Sequence, residues 1–218
     1  MVASIADLRH QETKRLAGLL LDYVVENGIF GDIHVYGCNR GEFLNAAVER
    51  AQVSFVPANL KFFGFAPPTV STVPPGRGKR EHCTFDLVVP AERLALLEAN
   101  QNVKVLSEPY TASLGPDSRR HFLNEENKVA LACVRATDLN EARLVLDFVE
   151  PLLLEGSVVV IEDLFAGYRR TPAKDVGRAF LEHCSTKSRY RFVPFLTVGW
   201  WGRSYVACLP TELPVGEL

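Results

Sequence analysis

The sequence predicts an α/β protein, a mostly parallel sheet with helices on both faces, closed by an antiparallel hairpin. Three observations carry this. Apolar runs of strand length alternate with helical patterns along the chain. The unit spanning residues 128–167 reads strand, helix, strand and carries the acidic pair Glu162-Asp163 at the end of its second strand. Two late strand-like stretches, 190–198 and 204–209, are joined only by Gly199-Trp200-Trp201-Gly202, a length that suits a hairpin. Strand, helix and strand in series specify parallel pairs, because the crossover helix returns the chain to the same edge.

Taken in order, residues 5–27 place Leu8, Leu16, Leu19, Leu20, Tyr23 and Val24 at helical spacing, and Gly28 suits the residue just past a helix end. This N-terminal segment, 1–30, is expected to lie across the core of a single domain, 31–210, followed by a tail, 211–218. Residues 33–36 read as a short strand, and Gly37-Cys38-Asn39-Arg40-Gly41 then leads into a helix through Ala51. At such a junction backbone approaches a ligand closely and free helix N–H groups face it, so Gly37, Asn39 and Gly41 are candidate cofactor contacts. Residues 60–65 read as the next strand. Residues 66–82 hold Pro67, Pro68, Pro74, Pro75, Gly76 and Gly78 and read as a long irregular loop. Its Arg77, Lys79 and Arg80 suit either an anionic substrate or plain solvent.

A helix is expected over 90–100, with Pro90 in its first turn, then a strand over 102–106 and mostly loop over 107–127. Residues 129–134 form an apolar run. Thr137 precedes a helix that sets Leu139, Ala142, Leu146 and Val149 on one side and that Glu155-Gly156 stops. Residues 157–161 are a second buried strand, and Glu162-Asp163 emerges at its carboxyl end, where ligands bind in open α/β sheets. A helix over 172–184 with Thr171 as its cap leads to the hairpin, whose Trp200 and Trp201 suit a core, a contact between copies in a homo-oligomer, or a flat substrate.

Composition narrows the function classes. The 218 residues carry a net charge of −2 and are 47% hydrophobic. That balance offers no general attraction for nucleic acid or an anionic membrane. The five cysteines are scattered with no CxxC, the pattern of buried reduced thiols rather than a disulfide or zinc framework. With no secretory pattern at the amino terminus and no apolar run of membrane-spanning length, the expectation is a soluble, cytoplasmic protein. His34 reads as a core histidine, and His82 and His121 as loop residues. No H-x-x-x-H, G-x-S-x-G or Cys-His nucleophile pattern occurs, and Gly37-x-x-x-Gly41 lacks the dinucleotide fingerprint G-x-G-x-x-G.

Four stretches together resemble the class I S-adenosylmethionine-dependent methyltransferases, and more narrowly the macrocin O-methyltransferase family. Residues 35–44, Val-Tyr-Gly-Cys-Asn-Arg-Gly-Glu-Phe-Leu, are similar to that family's first strand and glycine loop. Phe63-Gly64-Phe65 followed by Ala66 sits where the family has G-F-D-S-F-E-G. Asp138-Leu139-Asn140-Glu141-Ala142 resembles the end of its D-x-D-L-Y-x-S motif, and residues 154–163 resemble P-G-G followed by a strand and D-D-Y. The likeness implies a Rossmann-like sheet of seven strands ending in an antiparallel hairpin, and O-methylation of a small polar metabolite or natural product. By the same resemblance, Gly37, Asn39, Gly41, Ser107 and Glu108 hold the cofactor. Asp138, Glu162 and Asp163 hold a Mg2+ or Mn2+ ion or the substrate, with Asp138 and Asp163 as the catalytic acids; the alternatives are that one acid serves as a base without metal, or that Asp138 caps its helix while Glu162 and Asp163 are solvated at a strand end.

The sequence departs from the family at three acids. The acid two residues before the first glycine is Val35, the acid that takes the ribose hydroxyls is Ala66, and the first aspartate of D-x-D is Ala136. Neither alanine nor valine accepts a hydrogen bond through its side chain. A second reading therefore keeps the fold and replaces methyl transfer with another reaction or a noncatalytic binding role.

Overall fold

Strands buried at every position belong between two layers of helix. β1 (Asp32–Tyr36) and β4 (Val129–Val134) are buried from end to end. The structure is a computed structural model describing residues 5–37, 41–53, 60–66, 91–124, 127–136, 138–162, 164, 175–199 and 201–210. Its sheet has seven strands, adding β2 (Phe62–Phe65), β3 (Val103–Leu106), β5 (Leu153–Ile161), β6 (Arg191–Val198) and β7 (Gly202–Cys208) in the order β3-β2-β1-β4-β5-β7-β6. β1 to β5 are parallel, and β7 runs antiparallel to both β5 and β6. The predicted mostly parallel sheet and closing hairpin are both present.

Side chains of a strand alternate between faces, and each face of β1 meets its own core. Ile33 and Val35 pack with Leu16, Leu20 and Leu21 of α1 (Ile5–Glu26) and Phe43 and Leu44 of α2 (Glu42–Val53). Gly28, with φ +64, closes α1 as predicted: Gly28 N–H donates to Val25 O and Ile29 N–H to Val24 O, which satisfies the last carbonyls of the helix. Short α3 (Ala91–Glu98) leads into β3. On the opposite face His34 and Tyr36 join Phe148 of α6 (Leu139–Val149) and Phe180 of α7 (Asp175–Thr186) in a second core. His34 sits inside an aromatic cage, its ring centroid 5.1 Å from Phe63 and 5.3 Å from Phe122, and its Nδ1 is 2.9 Å from the Tyr36 hydroxyl. Burial pushes the imidazole down to about 3, so it is neutral at physiological pH.

Two stretches differ from the sequence reading. Residues 107–127 are not mostly loop but hold α4 (Tyr110–Ser113) and α5 (Pro116–Asn124). Pro116 occupies the first position of α5, where its missing N–H costs nothing. Phe122 supplies a buried anchor that a polar sequence around it conceals. Glu155-Gly156 does not stop α6. That helix ends at Val149, the turn Glu150–Leu152 contains Pro151, and β5 starts at Leu153. Proline cannot supply the N–H that would continue the helix. Gly156, at φ +86, lies inside β5 beside a register shift against β4, and the Ser157 hydroxyl bridges it by accepting from Leu154 N–H and donating to Val129 O.

At the start of β5, α6 and α7 are tied by Glu150. Its carboxylate binds the His183 ring at 3.0 Å and accepts from Ser188 Oγ and from Arg189 N–H. Burial pushes the Glu150 carboxyl up, but these hydrogen bonds outweigh it and the net shift is downward.

Two outcomes follow from these groups. Replacing Glu150 with alanine is expected to lower stability by about 2 kcal/mol in urea at neutral pH, the scale of hydrogen bonds to a charged group. That difference shrinks in acid, because a lowered carboxyl gives stability that is lost as pH falls through its folded value. His34 has the same sign for a different reason. Its folded pKa of about 3 lies below the ordinary 6.5, so the unfolded chain takes up the proton first. Stability should fall as pH drops from 6.5 towards 3, by up to about 1.4 kcal/mol per pH unit. Urea denaturation of His34→Asn across that range should show a correspondingly flatter profile.

Candidate functional site

Five parallel strands end level with one another. The register pairs Tyr36 with Phe65 and with Val134, Phe65 with Leu106, and Val134 with Ile161. The ladder then continues one residue further: Ala66 N–H donates to Leu106 O, Gly37 N–H to Phe65 O, Arg135 N–H to Tyr36 O and Glu162 N–H to Val134 O. Ser107, Ala66, Gly37, Arg135 and Glu162 therefore stand in a row along the carboxyl edge. The strand order reverses between β1 and β4, and that switch point is where open α/β sheets bind ligands.

Gly37 is at the centre of the row with φ +71, and a Cβ on it would lie 2.5 Å from the carbonyl oxygen of Arg135. Glycine is thus required by the close approach of the β1 and β4 ends, before any ligand is considered. A Gly37→Val variant would strain the sheet itself and is no clean probe of ligand binding. Gly41, at φ +74, opens the way into α2. Asn39 lies outside the described residues. Val35 is buried in the core against α1 and α2, where an acid would be desolvated. Ala66 is 5% exposed, so the position read as the ribose acid presents only a buried methyl. Ser107 and Glu108, one strand further out, are both exposed.

The three candidate acids have different fates. Asp138 is the N-cap of α6: its Oδ1 accepts from Asn140 N–H at 2.7 Å and Glu141 N–H at 2.9 Å. Glu162 is buried and its Oε2 lies 3.5 Å from Nη1 of Arg135, with the two side chains 8% and 4% exposed. Asp163 lies outside the described residues. Among the described residues no cluster of three His, Cys, Asp or Glu side chains is placed to hold a metal. The Mg2+ or Mn2+ expectation thus finds one acid engaged by helix N–H groups and another by a guanidinium. Ala136, 9% exposed, joins the apolar core beside them.

Arg135 is the residue that sequence reading missed. A visible signal was a charge immediately after the buried run Val129–Val134, at the end of a central strand. His34, Trp201, Cys133, Cys184 and Cys208 add nothing to the row, and Cys38 and Cys83 lie outside the described residues. His34 is a core residue, and Trp201 is 5% exposed with the Arg9 guanidinium 4.8 Å from its ring centroid. His121 falls in α5 rather than a loop. His82, Arg77, Lys79, Arg80 and Trp200 lie outside the described residues. A depression of about 370 Å3 lined by Val24, Ile29, Asp32, Leu60, Lys61 and Lys128 sits at the amino-terminal edge. The five residues of β1 separate it from the row by roughly 16 Å, which sets it apart from the site.

Compared by sequence, the chain matches no protein-family model and no curated protein. Compared by structure, it is similar to the calicheamicin methyltransferase CalS11, at 15% identity and a TM-score of 0.63, covering 88% of this chain and 77% of that one. It is similar to the O-methyltransferase NovP at 15% identity and a TM-score of 0.61, over 90% and 80% of the two chains. An O-methyltransferase from Bacillus cereus in complex with SAH matches at 12% identity and a TM-score of 0.55, over 95% and 82%. The fold is that of the class I methyltransferases. Along the carboxyl edge of this sheet Gly37 presents bare backbone and Ser107 and Glu108 present exposed polar side chains, whereas residue 66 presents a buried methyl.

The capping role of Asp138 can be separated from a chemical one. Asp138→Ala should cost about 1 kcal/mol in urea denaturation, whereas Asp138→Ser, which can still cap, should stay within a few tenths of the wild type.

Proposed function

We propose that this protein transfers a methyl group from S-adenosylmethionine to an oxygen of a small-molecule acceptor. The observation that carries the reading is the level carboxyl edge at the β1–β4 switch point, with its left-handed glycine at Gly37. Structurally similar proteins are described as a TDP-rhamnose 3'-O-methyltransferase of calicheamicin biosynthesis and as an O-methyltransferase in complex with SAH. Those descriptions, with the likeness to the macrocin O-methyltransferase family, favour a polar metabolite or natural product as acceptor.

The donor supplies an electrophilic methyl group on a sulfonium. Residues 37–41, with Asn39 between the two glycines, would hold its amino-acid portion by backbone approach. Ser107 and Glu108 would take the ribose hydroxyls in place of Ala66, because the ladder bond from Ala66 N–H to Leu106 O sets the end of β3 directly beside the end of β2. A carboxylate suits that task, as it accepts from two vicinal hydroxyls at once. Asp138 and Asp163 are the acids proposed to face the acceptor and receive its proton. Fixing nucleophile and methyl group in line would supply much of the rate, because proximity and alignment alone are worth several kcal/mol.

Calorimetric titration with S-adenosylhomocysteine tests this. One molecule should bind per chain, and Glu108→Gln, a change at an exposed position, should weaken it at least tenfold, or about 1.4 kcal/mol. Absence of binding by the wild type would remove the methyl donor and leave the alternative of a different ligand on the same fold.

A further inference from the structure

The row of the carboxyl edge contains one cation and one anion, side by side on β4 and β5. Arg135 and Glu162 each stand one residue beyond the paired Val134 and Ile161, so the sheet itself holds them adjacent. Both are almost wholly removed from water: Arg135 is 3% and Glu162 6% exposed. A guanidinium is always charged and is suited to buried pairing with a carboxylate. Its backbone is fixed as well, by Arg135 N–H donating to Tyr36 O and by the Tyr110 hydroxyl donating to Arg135 O at 3.4 Å.

This arrangement opposes a divalent ion at the same place. Mg2+ demands near-octahedral oxygen ligands and is held through carboxylates. An ion seated on Glu162 would meet the Arg135 charge at contact distance in surroundings with little water to screen the repulsion. Among the described residues the neighbours give no compensation. Asp138 Oδ1 accepts from two helix N–H groups, and residues 136, 66 and 37 are alanine, alanine and glycine.

Resting on the methyltransferase reading, we propose that Arg135 is the built-in cation of this site, holding Glu162 in the place where a divalent metal would otherwise be bound, so that the site acts without Mg2+ or Mn2+. Arg135 is a positioning residue in this scheme. An acceptor proton then passes to an acid of the chain or to solvent, not to a metal-bound hydroxide.

The experiment titrates Mn2+ into the full chain and follows the free ion by electron paramagnetic resonance, beside calorimetric titration of S-adenosylhomocysteine with and without EDTA. The wild type should leave the Mn2+ signal undiminished, and EDTA should leave the affinity for S-adenosylhomocysteine unchanged. Arg135→Gln, by removing the positive charge beside Glu162, should raise Mn2+ affinity at least tenfold, while Arg135→Lys, which keeps the charge, should not. Stoichiometric Mn2+ binding by the wild type that is lost in Glu162→Gln would overturn the proposal, as would a folded Arg135→Gln that gains none. Where Arg135→Gln does not fold, the wild type and Arg135→Lys decide: binding in either overturns the proposal, and silence in both upholds it. Failure to bind S-adenosylhomocysteine would count against the methyl-donor reading alone, since the Mn2+ measurement needs no donor.

Discussion

The level termination of five parallel strands is the constraint on which the site depends. Ladder hydrogen bonds carry each neighbour one residue past the strand end, and the residues that follow are thereby set in a line rather than scattered through loops. Parallel strands reach this state only if the crossovers return them in register, and the helices that make those crossovers bury the sheet on both faces. Gly37 shows how tight the result is, because the β1 and β4 ends come so close that a side chain at that point would collide with the Arg135 carbonyl.

The same constraint explains the electrostatics. A lone arginine or glutamate buried at a sheet edge would be strongly destabilising, and each is tolerated because the other stands beside it. Removing one partner takes that compensation away from the other, so the pair is expected to be retained or exchanged together. His34 illustrates the other solution to a buried titratable group: the ring is kept neutral within an aromatic cage and hydrogen-bonds Tyr36 on the same face of β1. The edge thus rests on a floor of stacked and tilted rings, with Tyr36 and Phe65 at 4.6 Å directly below Gly37 and Ala66 in sequence.

β4 and β5 were legible because their apolar runs Val129–Val134 and Val158–Ile161 carry no polar alternation, and β1 because Gly31 and Gly37 punctuate its ends. Gly28 illustrates this, as its conformational freedom matches the helix end that the sequence implied. Glu155-Gly156 misled for the same reason turned around: glycine marks a left-handed residue, yet a bulge inside β5 needs one as much as a helix end does. α5 was hidden because one buried phenylalanine among polar residues has no periodicity to detect.

By itself, then, the sequence determined the alternation of strands and helices, the closing hairpin, and the carboxyl edge as the place to look for a site. These follow from local patterning, which each segment carries within itself. Only the tertiary structure decided what the edge residues do. Gly37 became a steric necessity and Arg135 the partner of Glu162, because these contacts join residues 98 and 27 positions apart, whereas the Asp138 cap is local, spanning two and three positions. Sequence spacing does not encode that distance in space; the register of β1, β4 and β5 does.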